Sequence, residues 1–132
     1  VPLRRSAQRS GLTQALGPMK VSGFEIAAEG TKWPSGRFHD VAVLPISDAR
    51  VIEIFGPLAS GTESGLGEWH AIGFWLPDKT LVELVRYISS PPPTGFVLRI
   101  DRSAPIEQAF AHVLQIVGIS KDELPWINPT WP

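Results

Sequence analysis

Cysteine is absent from this sequence of 132 residues. The absence excludes a disulfide framework, a thiolate metal site and a cysteine nucleophile. A chain without cysteine is compatible with a reducing compartment, and we expect a cytoplasmic protein. Long apolar runs are also absent, since none approaches the roughly 18 residues that a membrane-spanning helix requires. We therefore expect no membrane contact.

Charged side chains are scarce, at 19% of the sequence, and they are unevenly distributed. Residues 1–18 contain Arg4, Arg5 and Arg9 and no acid. Removing these three from the twelve basic residues leaves nine against thirteen acidic ones, so the rest of the chain carries a net charge of about −4. An acidic body disfavours contact with nucleic-acid phosphates and favours a basic protein partner. We expect no nucleic-acid binding.

The segment before the only methionine, Met19, shows no core pattern. It lacks the apolar region of a secretory signal, whereas its arginines, its serines and its lack of acids are typical of organelle transit peptides. Translation from an upstream start, an alternative start codon at Val1 and an ordinary N-terminal arm would explain it as well. We predict a flexible arm or non-native extension at residues 1–18 and a single α+β domain at residues 19–132.

Thirteen prolines and twelve glycines imply frequent turns and short elements. Five segments are β-branched and apolar, or alternate between apolar and polar residues, which is typical of strands. These segments are residues 21–28, 38–46, 50–55, 68–76 and 96–102. The strand at 68–76 is apolar on both sides toward its end, which favours a central position in the sheet.

Two segments have helical periodicity. In residues 80–90, apolar side chains recur at i, i+3, i+4 and i+7, at Leu81, Leu84, Val85 and Ile88. A second stripe begins after Pro105 and ends before Gly118, a favoured C-cap residue. Ser120 and Glu123 then have the spacing of a capping box, which predicts one further short turn.

The element order β-β-β-β-α-β-α predicts an α+β fold with a single mixed sheet of about five strands and two helices packed on one face. The strand, helix and strand at 68–76, 80–90 and 96–102 have the spacing of a right-handed crossover. The side chains expected between the helices and the sheet are Leu81, Leu84, Val85, Ile88, Phe110, Val113 and Leu114.

Residues 56–67 are rich in glycine and serine and lie between two predicted strands. A phosphate-binding P-loop is excluded because no lysine occurs between Lys32 and Lys79. A nucleophile elbow is excluded because neither Ser60 nor Ser64 has a glycine two residues away on each side. We interpret the segment as a long hairpin connection, and its length makes it a candidate for binding a partner.

The three histidines, His39, His70 and His112, do not have the linear spacing of a metal site. His112 lies on the polar side of the second predicted helix, which indicates a solvated side chain. His39 and His70 lie in predicted strands and would need to meet Glu68 beside the glycine-rich segment to form an enzyme site. No motif predicts a cofactor or a metal.

Tryptophan is abundant, with five residues. Trp69 and Trp75 lie on one face of a predicted strand and are expected in the core. Trp33, Trp126 and Trp131 adjoin or approach prolines in predicted loops. We interpret these three either as a cover for the second face of the sheet or as anchors of a partner surface.

From Glu68 onward the chain shows a tryptophan-bearing strand, a short helix, a strand, an amphipathic helix and then GISKDELPWIN. This layout, over residues 68–128, resembles the carboxyl halves of small bacterial immunity proteins, which neutralise a cognate secreted toxin. Pro125 departs from their pattern. The tails are similar at Gly118, Ile119, Ser120, Asp122, Glu123, Trp126 and Ile127. The resemblance implies a toxin inhibitor without assigning any binding residue.

The leading hypothesis is a small cytoplasmic protein-binding domain, an immunity-type inhibitor whose partner is a basic toxin domain. No catalytic residues are assigned. A small enzyme with a site near His39, His70 and residues 56–67 is one alternative, and a structural or assembly subunit is another. The predicted partner-binding residues are Glu63, Ser64, Glu68, Trp33 and Trp126.

Overall fold

The computed structural model of the protein describes residues 24–27, 37–89 and 95–130. The predicted arm at residues 1–18 lies outside these ranges, as do Trp33 and Trp131. The helices are α1 (Asp48–Phe55) and α2 (Ile106–Val117), and a 3-10 turn follows at Lys121–Glu123. The strands are β1 (Glu25–Ile26), β2 (Phe38–Leu44), β3 (Ala59–Glu63), β4 (Gly67–Trp75), β5 (Leu81–Tyr87), β6 (Phe96–Asp101) and β7 (Trp126–Ile127).

All seven strands belong to one antiparallel sheet with the order β1-β4-β5-β6-β2-β7. β3 also pairs with β4, along the part of its edge that β1 leaves free. The predicted α+β fold, with one sheet and two helices, is confirmed. The predicted crossover is wrong, because β4, β5 and β6 are consecutive antiparallel strands. The sheet is therefore antiparallel throughout the described residues and has more strands than predicted.

The segment predicted as a strand at 50–55 belongs to helix α1. Ser47 caps this helix, because its hydroxyl accepts a hydrogen bond from the backbone N–H of Arg50 at 3.1 Å. Val51 and Phe55 are four residues apart, so they lie on one helix face, and both are buried. Their spacing fits an alternating strand equally well, and the cap at Ser47 is the signal that distinguishes the two.

The segment predicted as a helix at 80–90 contains strand β5 instead. Every residue from Leu81 through Val85 is buried. A strand covered on both faces is apolar at nearly every position, and such a run also satisfies a helical template. Asp78 accepts a hydrogen bond from the N–H of Thr80 at 3.1 Å, but it does so in the tight turn between β4 and β5 rather than in a helix cap.

Both helices pack on one face of the sheet, as predicted, in a core that includes Leu84. The largest helix-borne members of this core are Val51, Phe55, Phe110 and Val113. Leu81 and Val85 are expected in the same core from the sequence, but they lie in a separate cluster with other sheet residues. Alternation along β5 turns them to the opposite face. Trp69 and Trp75 are only partly buried against that second cluster.

The end of α2 follows its sequence signals closely. Gly118 has a left-handed φ of 75°, and its N–H donates to the carbonyl of Leu114 at 2.9 Å. Ser120 and Glu123 form the predicted capping box, in which Glu123 Oε1 accepts the N–H of Ser120 at 2.8 Å. The chain then forms β7 at the edge of the sheet beside β2. This strand has only two residues, which is too short for a pattern to predict.

Candidate functional site

β3 and β4 form a hairpin in the glycine-rich segment that the sequence predicts as a long connection. All five residues of β3 pair with β4, so the turn itself is short. In this turn the N–H of Leu66 donates to the carbonyl of Glu63 at 3.0 Å. Gly65 and Gly67 have φ values of 85° and 86°, which other residues rarely adopt. The glycines therefore shape a tight hairpin rather than a phosphate cradle.

The end of this hairpin brings together three of the predicted partner-binding residues, Glu63, Ser64 and Glu68. All three are exposed, and 59% of the Glu68 side chain is accessible. Glu63 accepts a hydrogen bond from the hydroxyl of Tyr87 at 2.9 Å, which connects the hairpin to β5. Leu66 in the turn is a large apolar residue that is 42% exposed. We refer to Glu63, Ser64, Leu66 and Glu68 as the hairpin tip.

Trp126 does not join the hairpin tip. It lies in β7 at the opposite edge of the sheet, and β2, β6 and β5 separate it from β4. Trp126 is 41% exposed. Trp33, the remaining predicted partner-binding residue, lies outside the described residues. The predicted set is therefore divided between the hairpin tip and an aromatic side chain at a distant edge.

A polar cluster joins α1 to β4 and β5 beside the hairpin. Asp48 accepts hydrogen bonds from Arg86 through Nε at 3.0 Å and Nη2 at 3.3 Å. His70 Nδ1 lies 3.1 Å from Asp48 Oδ2, and His70 Nε2 lies 3.4 Å from Glu68 Oε2. The side chains of Asp48 and His70 are 29% and 28% exposed, so solvent screens this cluster only in part.

The electrostatics of the cluster favour an ionised Asp48. Burial raises the pKa of Asp48, but hydrogen bonds from Arg86 and His70, together with the charges of both side chains, outweigh it. The pKa of Asp48 is therefore below its ordinary value of 3.8. Sequence reasoning missed this cluster because Asp48 lies 22 positions from His70 and 38 from Arg86, and no local pattern connects them.

His39 and His70 do not meet. His39 lies in β2 opposite Ile100 of β6, whereas His70 lies in β4. Two strands, β6 and β5, lie between them, which corresponds to about 14 Å across the sheet at ordinary strand spacing. His112 lies in α2 and is partly exposed. His70 is thus the histidine that has a carboxylate partner close to the glycine-rich hairpin.

A second polar network connects strands on the face opposite the helices. Arg99 lies 2.9 Å from Asp40 through Nε and 3.3 Å from Glu83 through Nη1. Glu83 is only 4% exposed, so Arg99 compensates a buried carboxylate. Burial and the hydrogen bond to Glu63 raise the pKa of Tyr87, while the charge of Arg99 opposes that rise. The network connects the hairpin, β5, β6 and β2 and carries no separate chemistry.

Two open pockets lie near the helices rather than at the hairpin tip. One, of about 440 Å³, lies beside the start of α1 and includes Asp48 and Arg86. The other, of about 590 Å³, lies beside α2 and includes Phe110 and Leu114. His70 lines neither pocket. Among the described residues, no group of three or more histidine, aspartate or glutamate side chains is arranged to hold a metal ion.

Comparison with known proteins gives no match to a family profile, to a curated protein or to a solved structure. The resemblance of the C-terminal half to immunity proteins therefore stays a prediction. In the part of the chain that the structure describes, no helix combines the length and apolar character needed to cross a membrane.

Proposed function

We propose that this protein is an immunity-type inhibitor, a small protein-binding domain that neutralises a bacterial toxin with a basic surface. The observation that carries the proposal is the hairpin tip, where the exposed side chain of Leu66 lies in the chain between the carboxylates of Glu63 and Glu68. An apolar side chain with charged neighbours suits a binding surface, because the apolar group supplies buried area and the charges select the partner.

The charge of the chain supports a basic partner. Beyond residues 1–18, the thirteen acidic residues outnumber the nine basic ones. Long-range attraction between an acidic inhibitor and a basic toxin accelerates their encounter, and the acceleration decreases as salt screens the charges. The association rate should therefore depend strongly on ionic strength.

The hairpin tip is held in place before binding. β3 pairs with β4 along its whole length, and Tyr87 donates a hydrogen bond to Glu63. The indole of Trp69 also covers Gly61, since a Cβ added at Gly61 would lie 2.5 Å from its Cζ2. A surface that is already ordered loses less conformational entropy when it binds. These contacts favour the tip as a binding element over a free glycine-rich loop.

Calorimetric titration with the toxin domain encoded beside this protein's gene tests the proposal. The parent protein should bind with a dissociation constant on the order of nanomolar, as tight inhibitors do. Glu68→Lys should bind at least tenfold more weakly at low salt, because like charges would then meet. The melting temperature should change little, since exposed charges contribute little to folding.

Glu107→Lys is the matched control. Glu107 is also exposed, but it lies in α2, which packs on β6 rather than near the hairpin. This variant makes the same change of charge and should bind like the parent. No binding by the parent would contradict the function, and equal weakening by both variants would show that only net charge matters.

A second candidate function is hydrolysis with Ser60 as nucleophile, which the orientation of His70 favours. Asp48 holds His70 Nδ1 at 3.1 Å, and Ser60 lies directly opposite His70 in the hairpin ladder. An acid that orients a histidine beside a hydroxyl is the arrangement of serine hydrolases. Glu68 lies 3.4 Å from His70 Nε2 and would have to move for Ser60 to donate its proton there. A fluorophosphonate probe should label the parent and not Ser60→Ala, and an unlabelled parent removes this candidate.

A further inference from the structure

β3 has a free edge, and the hydrogen-bond directions identify the backbone groups on it. The carbonyl of Gly73 in β4 accepts the N–H of Ala27 at 2.9 Å, across the edge of β4 that β1 and β3 share. Backbone groups alternate sides along an antiparallel strand, so the other odd-numbered residues of β4 also face this edge. They pair with the odd-numbered residues of β3. Ser60 and Thr62 therefore direct their N–H and C=O groups away from the sheet.

This edge lacks the features that usually prevent strands from pairing. β3 has the sequence ASGTE, without proline or lysine, and it pairs with β4 without a bulge. Ser60 and Thr62 are both exposed. Two large apolar residues, Ile26 of β1 at 38% and Leu66 at 42% exposure, lie along the same edge. Exposed backbone groups with apolar neighbours favour the addition of another strand.

We propose that a second copy of this chain pairs with β3 in antiparallel orientation, about a two-fold axis at Gly61. In this register Ser60 of each copy lies opposite Thr62 of the other. Because both residues direct N–H and C=O outward, the two pairs exchange four backbone hydrogen bonds. The register uses every outward backbone group of these two residues, and the same surface serves both copies, as a two-fold interface requires.

Trp69 supplies an apolar contact at the axis. Its indole lies over Gly61, with the Cζ2 atom 2.5 Å from the position that a Cβ of residue 61 would occupy. Across the axis the two Gly61 residues form a non-hydrogen-bonded pair, with Cα atoms about 4.5 Å apart. The two indoles, one over each Gly61, then lie side by side and shield the central hydrogen bonds from water.

Charge does not oppose the dimer. Glu63 of one copy lies opposite Ala59 of the other, so the two Glu63 side chains are about 13 Å apart along the ladder. That separation exceeds the Debye length of roughly 8 Å at physiological salt. The ladder is short, and interfaces at the low end of the size range are weak. We therefore expect half-association at a concentration on the order of tens of micromolar.

Disulfide exchange tests the register. The chain has no cysteine, so introduced thiols react without background. A mixture of Ser60→Cys and Thr62→Cys proteins should form a linked dimer, because the paired Cα atoms fall within disulfide range. Each variant alone should react at least tenfold more slowly, since its own thiols are two residues out of register. Equal rates in the mixture and in the single variants would overturn the proposal.

Sedimentation velocity tests the hydrogen bonds. The N–H of Thr62 is not used by β4, so Thr62→Pro should fold, with folding checked by circular dichroism. It should raise the dissociation constant of the dimer at least tenfold, whereas Thr62→Val keeps the N–H and should associate like the parent. A parent that stays monomeric at ten times the expected midpoint would refute the dimer. If Thr62→Pro does not fold, the cysteine exchange decides. The hairpin tip lies outside the ladder, so neither result depends on toxin binding.

Discussion

Asparagine at position 48 should destabilise the protein by removing the charge that holds α1 to β4 and β5. In the parent, Arg86 donates two hydrogen bonds to Asp48, at 3.0 and 3.3 Å, and His70 Nδ1 lies 3.1 Å away. Hydrogen bonds to charged groups contribute about 1.5–3 kcal/mol each. Asp48→Asn keeps the size of the side chain and part of the bonding, so we expect the free energy of unfolding to decrease by about 2 kcal/mol at neutral pH.

The effect of this substitution should vanish in acid. The pKa of Asp48 is lower in the folded protein than its ordinary value, so folding favours the ionised carboxylate. The contribution is fully present above the unfolded-state pKa and is lost as the pH falls through the folded-state pKa. Urea denaturation from pH 7 down to about pH 3 should therefore show the parent and Asp48→Asn converging toward the acid end.

Glu53→Gln is the matched control for this experiment. Glu53 also lies in α1 and forms an ion pair with Arg50 at 2.6 Å, but the two side chains are 68% and 51% exposed. Exposed pairs contribute little, so we expect a loss of about 0.5 kcal/mol or less. A loss from Asp48→Asn no larger than that of the control, or one that persists undiminished in acid, would refute the stabilising role of the cluster.

Three further substitutions test the core, the hairpin and the end of α2. Phe110→Ala should lower the free energy of unfolding by about 3–5 kcal/mol in urea titrations, because Phe110 is 2% exposed and its truncation leaves a cavity. Gly61→Ala should cost about 1–3 kcal/mol and shift tryptophan fluorescence, because the new Cβ would displace Trp69; an unchanged spectrum would contradict that packing. Gly118→Ala should cost about 1 kcal/mol in the same titrations, since φ at this C-cap is 75°.

Elements with a local signature could be predicted from the sequence. α2 lies between Pro105 and Gly118, and a capping box follows at Ser120. Each of these signals acts within a few residues, so no knowledge of the fold is needed to interpret them. β5 has no such signal, because the burial of Leu81 through Val85 on both faces depends on strands and helices that pack from elsewhere in the chain.

The candidate site follows the same division. Glu63 and Glu68 are close in the sequence, and a hairpin brings such residues together whatever the rest of the fold does. Asp48, His70 and Arg86 come from a helix and two strands, and their contact depends on how α1 crosses the sheet. Linear spacing contains no information about that crossing, so the cluster is found only in the folded chain.

The position of β2 between β6 and β7 determines the order in which the sheet can assemble. β3, β4, β5 and β6 pair with their neighbours in the chain, whereas Asp40 of β2 meets Arg99 of β6 across 59 positions. Closing a longer loop costs more chain entropy, so the middle of the chain should fold first and β2 should dock later. β7 pairs with β2 among the described strands and can add only afterwards. Destabilising substitutions at Ile127 should therefore speed unfolding and leave the folding rate almost unchanged.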